Sequence, residues 1–235
     1  MCVGALALDA HPRWKLVLAA NRDEFHSRPA AALARWDGAD RHLLAGRDLQ
    51  SGGTWLGVSD QGRLAVVTNI RTGVLPDPAK QSRGGLISQY LRGQGLPDAT
   101  ELDRYNAFSL ISFGPEGATL TANRPGPMAQ PLAAGIHGLS NGEPYESWPR
   151  KDRLMQAFAE RLNSEAGLTE ALFALLAAEG IGESIDDSIF IRDEIYGTRC
   201  STVVLVGRDS GGVIAERLFD PAGNQSGDTQ IQFQY

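Results

Sequence analysis

The chain has 235 residues, is 42% hydrophobic and carries a formal net charge of −6 with no basic block. That balance argues against nucleic acid or an anionic membrane as the main partner. Two cysteines cannot form a disulfide framework, and the length allows one large domain spanning 1–235 with a sizeable core. No positively charged leader precedes the first apolar run, and no stretch approaches the roughly 18 apolar residues of a membrane span. The expectation is a cytoplasmic protein without a transmembrane segment.

The first predicted strand is Cys2 to Leu8. If Met1 is removed, Cys2 carries both a thiol and a free α-amine, whose reference pKa of about 7.7 to 8.0 lets it act as a base. The same position also suits a small buried hydrophobe. A tight turn at His11-Pro12-Arg13 leads into a second apolar run from Trp14 to Asn21. Setting Ala10 opposite Trp14 puts Cys2 opposite Arg22, within the tetrad Asn21-Arg22-Asp23-Glu24. A one-residue slip brings Asp23 to the thiol instead. An arginine there lowers a thiol pKa and a carboxylate holds a protonated amine, although such a tetrad can equally close a strand as a solvated cluster.

Further along, Leu43 to Ala45 reads as a short strand, and Thr54 to Ser59 with Arg63 to Asn69 as a hairpin in which Asp60 faces Arg63 and Thr54 faces Asn69. Residues 72 to 82 contain Pro76 and Pro78 and read as a loop at a site mouth. Helices are predicted from Arg83 to Arg92 and, with Asp98 as cap, from Ala99 to Tyr105. Strands follow at Ala107 to Phe113, Ala118 to Asn123 and Gly135 to Asn141. Ser147 to Asn163 is the clearest amphipathic helix, with another from Thr169 to Ala178. The last third is β, with a hairpin of Arg199 to Gly207 and Gly212 to Phe219 and an edge strand from Gln230 to Tyr235. Leu16 to Ala20 and Val203 to Val206 are nearly continuous in apolar residues, the pattern of a sheet covered on both faces.

Asn69 and Asn141 each end an apolar run, suited either to donating an amide N–H to an oxyanion or to forming a turn. Arg199 suits a carboxylate or a surface position beside a strand. The four histidines show no zinc-ligand spacing, so no metal site is expected, and Cys-x-x-Cys-His is absent. Reversible haem binding needs only one or two ligands, for which Cys2, His26, His137 and Cys200 are available.

Met-Cys at the start, Asn-Arg-Asp-Glu at 21 to 24, Arg28-Pro29, Ala45-Gly46-Arg47-Asp48, Gly52-Gly53-Thr54-Trp55-Leu56-Gly57, Thr68-Asn69-Ile70-Arg71, Leu139-Ser140-Asn141 and Thr198-Arg199-Cys200-Ser201-Thr202 occur in that order. This arrangement resembles the NRDE family, also called the transport and Golgi organisation protein 2 family, over nearly the whole chain. The resemblance implies an α+β fold: a four-layer αββα sandwich of two antiparallel sheets, N-terminal-nucleophile-hydrolase-like, similar to penicillin V acylase and bile salt hydrolase. It implies catalytic roles for Cys2, Asp23, Asn69, Asn141 and Arg199. Those acylases carry an arginine three residues before their aspartate, where this chain has Ala20, which makes Arg22 the substitute to examine. Three functions follow as expectations, haem handling first and the other two as alternatives to it. The resemblance implies intracellular haem handling, with haem as a reversible ligand. The motif constellation implies a Cys2-dependent amidohydrolase or acyl transferase that needs no cofactor. The third is binding of acyl-CoA or a related lipid without turnover.

Overall fold

The structure is a computed structural model that describes residues 2–163, 167–180 and 188–234. Met1 and Tyr235, at the ends of two predicted features, lie outside the described residues. The strands are β1 (Val3–Leu8), β2 (Trp14–Phe25), β3 (Ala30–Arg35), β4 (Leu43–Asp48), β5 (Leu56–Ser59) and β6 (Arg63–Asn69). After helix α1 (Arg83–Leu91) come β7 (Phe108–Gly114), β8 (Gly117–Ala122), β9 (Met128–Pro131) and β10 (Gly135–Leu139). Helices α2 (Pro149–Leu162) and α3 (Leu168–Leu176) precede β11 (Tyr196–Gly207), β12 (Gly211–Phe219) and β13 (Gln225–Gln234). These elements form two compact units, one of Met1–Ser27, Ala134–Ser140 and Ser147–Gln232, the other of Arg28–Ala133, Asn141–Glu146 and Phe233–Tyr235.

The first unit holds a six-stranded sheet in the order β10-β1-β2-β11-β12-β13. Apolar runs on either side of a short turn make β1 and β2 an antiparallel pair, and the register is the predicted one, with Val3 opposite Asn21 and Leu8 opposite Leu16. Strand alternation then sorts the side chains. Val3, Ala5, Val17, Ala19, Val203 and Leu205 pack against Leu154, Phe158 and Leu162 of α2 and Leu172 and Leu176 of α3. The α2 residues recur at every fourth position, and burying each side chain contributes about 1.5 to 3 kcal/mol. The intervening Leu16, Leu18, Val204 and Val206 are also buried, as their unbroken apolar runs predict.

The second unit holds a seven-stranded sheet in sequential order from β3 to β9. Helix α1 lays Leu86, Ile87 and Leu91 over Leu43, Ala65, Val67 and Phe108. Three local expectations change. Ser59, not Asp60, pairs with Arg63, because Gly62 at φ +73° closes a three-residue loop. Thr54 therefore does not face Asn69, whose partner is Phe108 of β7. Residues Ala99–Arg104 wind as a 3₁₀ helix, and the Asp98 side chain makes no cap.

Candidate active site

The Asn21-Arg22-Asp23-Glu24 tetrad lies near the end of β2, between β1 and β11, and alternation divides it between the two faces of the sheet. Asn21 faces the helices. Its amide donates to the carbonyls of Leu176 (2.8 Å) and Ile189 (2.9 Å) and accepts from the Ser201 hydroxyl (2.6 Å). Asp23 points the same way. Its Oδ1 accepts from Thr198 Oγ1 at 2.7 Å, and its Oδ2 pairs with Arg150 Nη1 at 2.6 Å. Arg150 also donates to the Ile189 carbonyl at 2.6 Å. This ion pair is shut off from solvent, with the arginine side chain 3% exposed and the aspartate 0%. Arg150 is a residue that the motifs do not point to, yet it stands four positions before Leu154 on the buried stripe of α2.

Arg22 faces the other way, 5% exposed, with Nη2 3.9 Å from Glu24 Oε2. Cys2 and Arg22 are the residues next beyond the Val3–Asn21 pair, at which β1 begins. Of the two predicted registers, this is the one that sets Arg22 rather than Asp23 at the thiol. Ala20 lies on this face too, two residues before Arg22 on the same strand.

On the far side of β2, Arg22 pairs with Cys200 of β11. Thr198 faces Asp23 and Cys200 faces Arg22, which leaves Arg199 as the extra residue of a β-bulge. The bulge turns Arg199 back along β2, where its Nη1 donates to the carbonyls of Phe25 (2.9 Å) and His26 (3.2 Å). Burial, then repulsion from Arg22, lowers the pKa of Arg199. Cys200 is buried and hydrogen-bonded to Glu216 of β12, itself 2% exposed. Burial and the Glu216 charge push the Cys200 thiol well above the usual thiol range, so it is inert as a nucleophile. Cys2 is half-buried.

The two asparagines belong to the second unit and meet each other there. Asn141 Nδ2 donates to the Asn69 carbonyl at 2.6 Å, and the Asn141 carbonyl accepts from the Arg71 backbone N–H at 2.7 Å. Asn141 is buried, whereas Asn69 at the end of β6 is exposed. In the first unit the β1–β10 register, with Gly4 opposite Leu139, carries the chain to Ser140, one residue before Asn141. Cys2, Arg22, Asp23 and Arg199 are thus gathered in one unit and Asn69 and Asn141 in the other. Among the described residues no group of three or more His, Cys, Asp or Glu side chains is placed to hold a metal ion.

The profile of the family described as transport and Golgi organisation 2 matches residues 1–221. The chain belongs to this family. It is similar to the Bos taurus transport and Golgi organization protein 2 homolog (31% identity, 92% of each chain) and to the Homo sapiens homolog (30%, 92% of each). The Drosophila melanogaster transport and Golgi organization protein 2 is 26% identical over 89% of each chain. Among solved structures, a Caenorhabditis elegans N-acylethanolamine-hydrolyzing acid amidase ortholog matches with a TM-score of 0.56 at 13% identity, covering 86% of this chain and 92% of its own. Variant R18L of the conjugated bile acid hydrolase from Clostridium perfringens matches with a TM-score of 0.50 at 8% identity, over 99% and 97%. The fold is therefore the N-terminal-nucleophile-hydrolase-like sandwich expected from the sequence.

Several motifs of this transport and Golgi organisation family member build scaffold. Asp48 accepts from Arg28 Nε (2.7 Å) and from the backbone N–H groups of Gln50 and Ser51, locking the turn after β4. Gly53 runs against the backbone of Gly84, where an added Cβ would overlap the peptide. Gly46 likewise makes room for the Trp55 ring. Among the residues named as haem ligands, Cys200 is enclosed and His26 shares a hydrogen bond between its Nε2 and the Asp193 carbonyl at 2.9 Å.

Proposed function

We propose that this family member is a cytoplasmic Cys2-dependent N-terminal-nucleophile amidohydrolase or acyl transferase acting on a small amide or acyl compound. The observation that supports the reading is the β1–β2 register, which ends at Val3 opposite Asn21 with Cys2 and the buried Arg22 as the next residues of their segments, since a nearby guanidinium favours a thiolate. Two solved structures of the same fold, described as an acid amidase and a conjugated bile acid hydrolase, add support.

After loss of Met1 the Cys2 α-amine takes the thiol proton, and the sulfur attacks the amide carbon. The C–N bond breaks as the leaving amine takes that proton back, leaving a thioester on Cys2. Water, or another nucleophile in a transfer, then releases the acyl group. Neither step needs a cofactor.

Intact mass of the untagged protein decides first whether Cys2 has a free amine, and an acylating amide probe then tests the thioester. We expect loss of Met1 and one acyl adduct per chain, abolished in Cys2→Ala with the melting temperature nearly unchanged. Retained hydrolysis in Cys2→Ala would rule out the nucleophile. Haem handling rests on the family resemblance alone. A Soret titration tests it, and saturable one-to-one binding without amide turnover would replace the amidase reading. Acyl-CoA or lipid carriage is the outcome if such ligands bind and no adduct forms.

A further inference from the structure

Four strands edge the two sheets, β10 and β13 in the first unit and β3 and β9 in the second. An edge turns alternate backbone N–H and C=O groups outward, ready to pair with another strand, and proteins blunt it with shortness, charge, proline, a bulge or a covering element. Three of these edges are blunted in that way. β3 has six residues, follows Pro29, ends in Arg35 and shifts register between Ala31 and Ala34. β9 has four residues, begins after Pro127 and ends on Pro131. β10 has five, and Lys151 and Met155 of α2 lie against its Gly138.

β13 differs from all three. It runs for ten residues without a proline, lysine or arginine. Its one charged residue, Asp228, is engaged within its own protomer, where Oδ2 accepts from Arg217 Nε at 3.0 Å and from Gln225 Nε2 at 3.3 Å. Arg217 Nη2 also donates to Glu170 of α3 at 2.7 and 2.8 Å. Gln225, Ser226, Asp228, Gln230 and Gln232 are exposed, and among the described residues no strand lies beyond β13.

We propose that β13 is an interaction surface for a second copy of this chain, the two β13 strands pairing antiparallel about a two-fold axis and joining two six-stranded sheets into one. The chemistry of the strand favours an identical partner. Glutamine amides and serine or threonine hydroxyls both donate and accept, so such a row meets its own copy without mismatch. In every register but the one that sets Asp228 against itself, the residue facing Asp228 is neutral, which avoids the cost of opposed like charges. A foreign peptide draws specificity from pockets for its alternate side chains, whereas β13 exposes amides, a hydroxyl and one paired carboxylate. One strand pair is a small interface, so the dimer is reversible. The inference is independent of the role proposed for Cys2.

Sedimentation velocity of the untagged full chain, loaded from about 5 to 500 µM, tests it by mass action. The wild-type mass should rise from that of one 25.2 kDa chain towards twice that value. Gln230→Lys with Gln232→Lys puts cations on the edge at two exposed positions and should hold the protein at one chain's mass, with its melting temperature unchanged. Gln230→Glu with Gln232→Glu should do the same. Mixing the lysine and glutamate variants should restore the doubled mass, because opposite charges then face each other across the pair. A wild type that keeps one chain's mass throughout leaves the edge to solvent or to a strand of another protein and overturns the proposal. A dimer that survives in the lysine variant lies on another surface and overturns it too, as does a lysine–glutamate mixture that stays monomeric.

Discussion

Asp23 shows how one residue in a family motif acquires its environment. Both of its oxygens are engaged inside the first unit, by Thr198 and by Arg150, with no solvent to share the charge. Removing one partner of such a pair leaves an uncompensated buried ion, a loss of about 3 to 5 kcal/mol. Arg150→Met is therefore expected to lower the denaturant midpoint severely, and Arg150→Met combined with Asp23→Asn to recover much of the loss. Equal stability of single and double variants would show that the pair is not coupled. Arg150 was partly legible in the sequence: 150, 154, 158 and 162 form one stripe, and an arginine heading that stripe needs an acidic partner at depth. Its partner lies 127 residues away, beyond any local pattern. The alternation that puts Arg22 and Asp23 on opposite faces was readable once the hairpin register was fixed.

At the scale of elements, the β1–β2 hairpin depends on a histidine at its turn. His11 Nδ1 accepts from the backbone N–H groups of Arg13 (3.1 Å) and Trp14 (3.2 Å), while Arg208 bonds Asp9 and the carbonyls of His11 and Pro12. Protonation would turn that acceptor into a donor. Burial, Arg13 and Arg208 lower the His11 pKa below its ordinary 6.5. The folded state thus binds fewer protons than the unfolded one, so stability is full above about pH 6.5 and declines as the pH falls below it. Urea melts at pH 7 and pH 5 should show this loss. His11→Asn, whose side-chain oxygen can accept the same bonds without titrating, should remove that part of the pH dependence. An unaltered slope would assign it elsewhere.

The same scale explains which elements the sequence hides. Strand β3 buries only Leu33 and β9 buries nothing, because both lie at the edges of their sheet and present no apolar alternation. The slip in the β5–β6 register came from the turn, where a left-handed Gly62 adds a residue that a two-residue hairpin lacks. Apolar runs and Gly-rich turns were sufficient elsewhere, as in the β7–β8 hairpin across Pro115-Glu116.

At the scale of the whole molecule, the two units differ in how far apart in sequence their partners lie. The second sheet is a meander of sequential neighbours, whereas the first joins β2 to β11, with Ser201 bonded to Asn21 across 180 positions. Local pairings form faster than distant ones. In pulse-labelled hydrogen exchange during refolding, amides of β5 to β8 should be protected before those of β1 and β2. Simultaneous protection would indicate a single cooperative step.

During synthesis on the ribosome the consequence is one of timing. The Cys2 end of the sheet is synthesised well before its surroundings, because the neighbour strand β2 gains β11 only once Tyr196–Gly207 has been made. The nascent chain therefore carries Cys2 beside an unfinished sheet through the synthesis of more than 170 intervening residues, and the thiol acquires its surroundings only when β11 arrives.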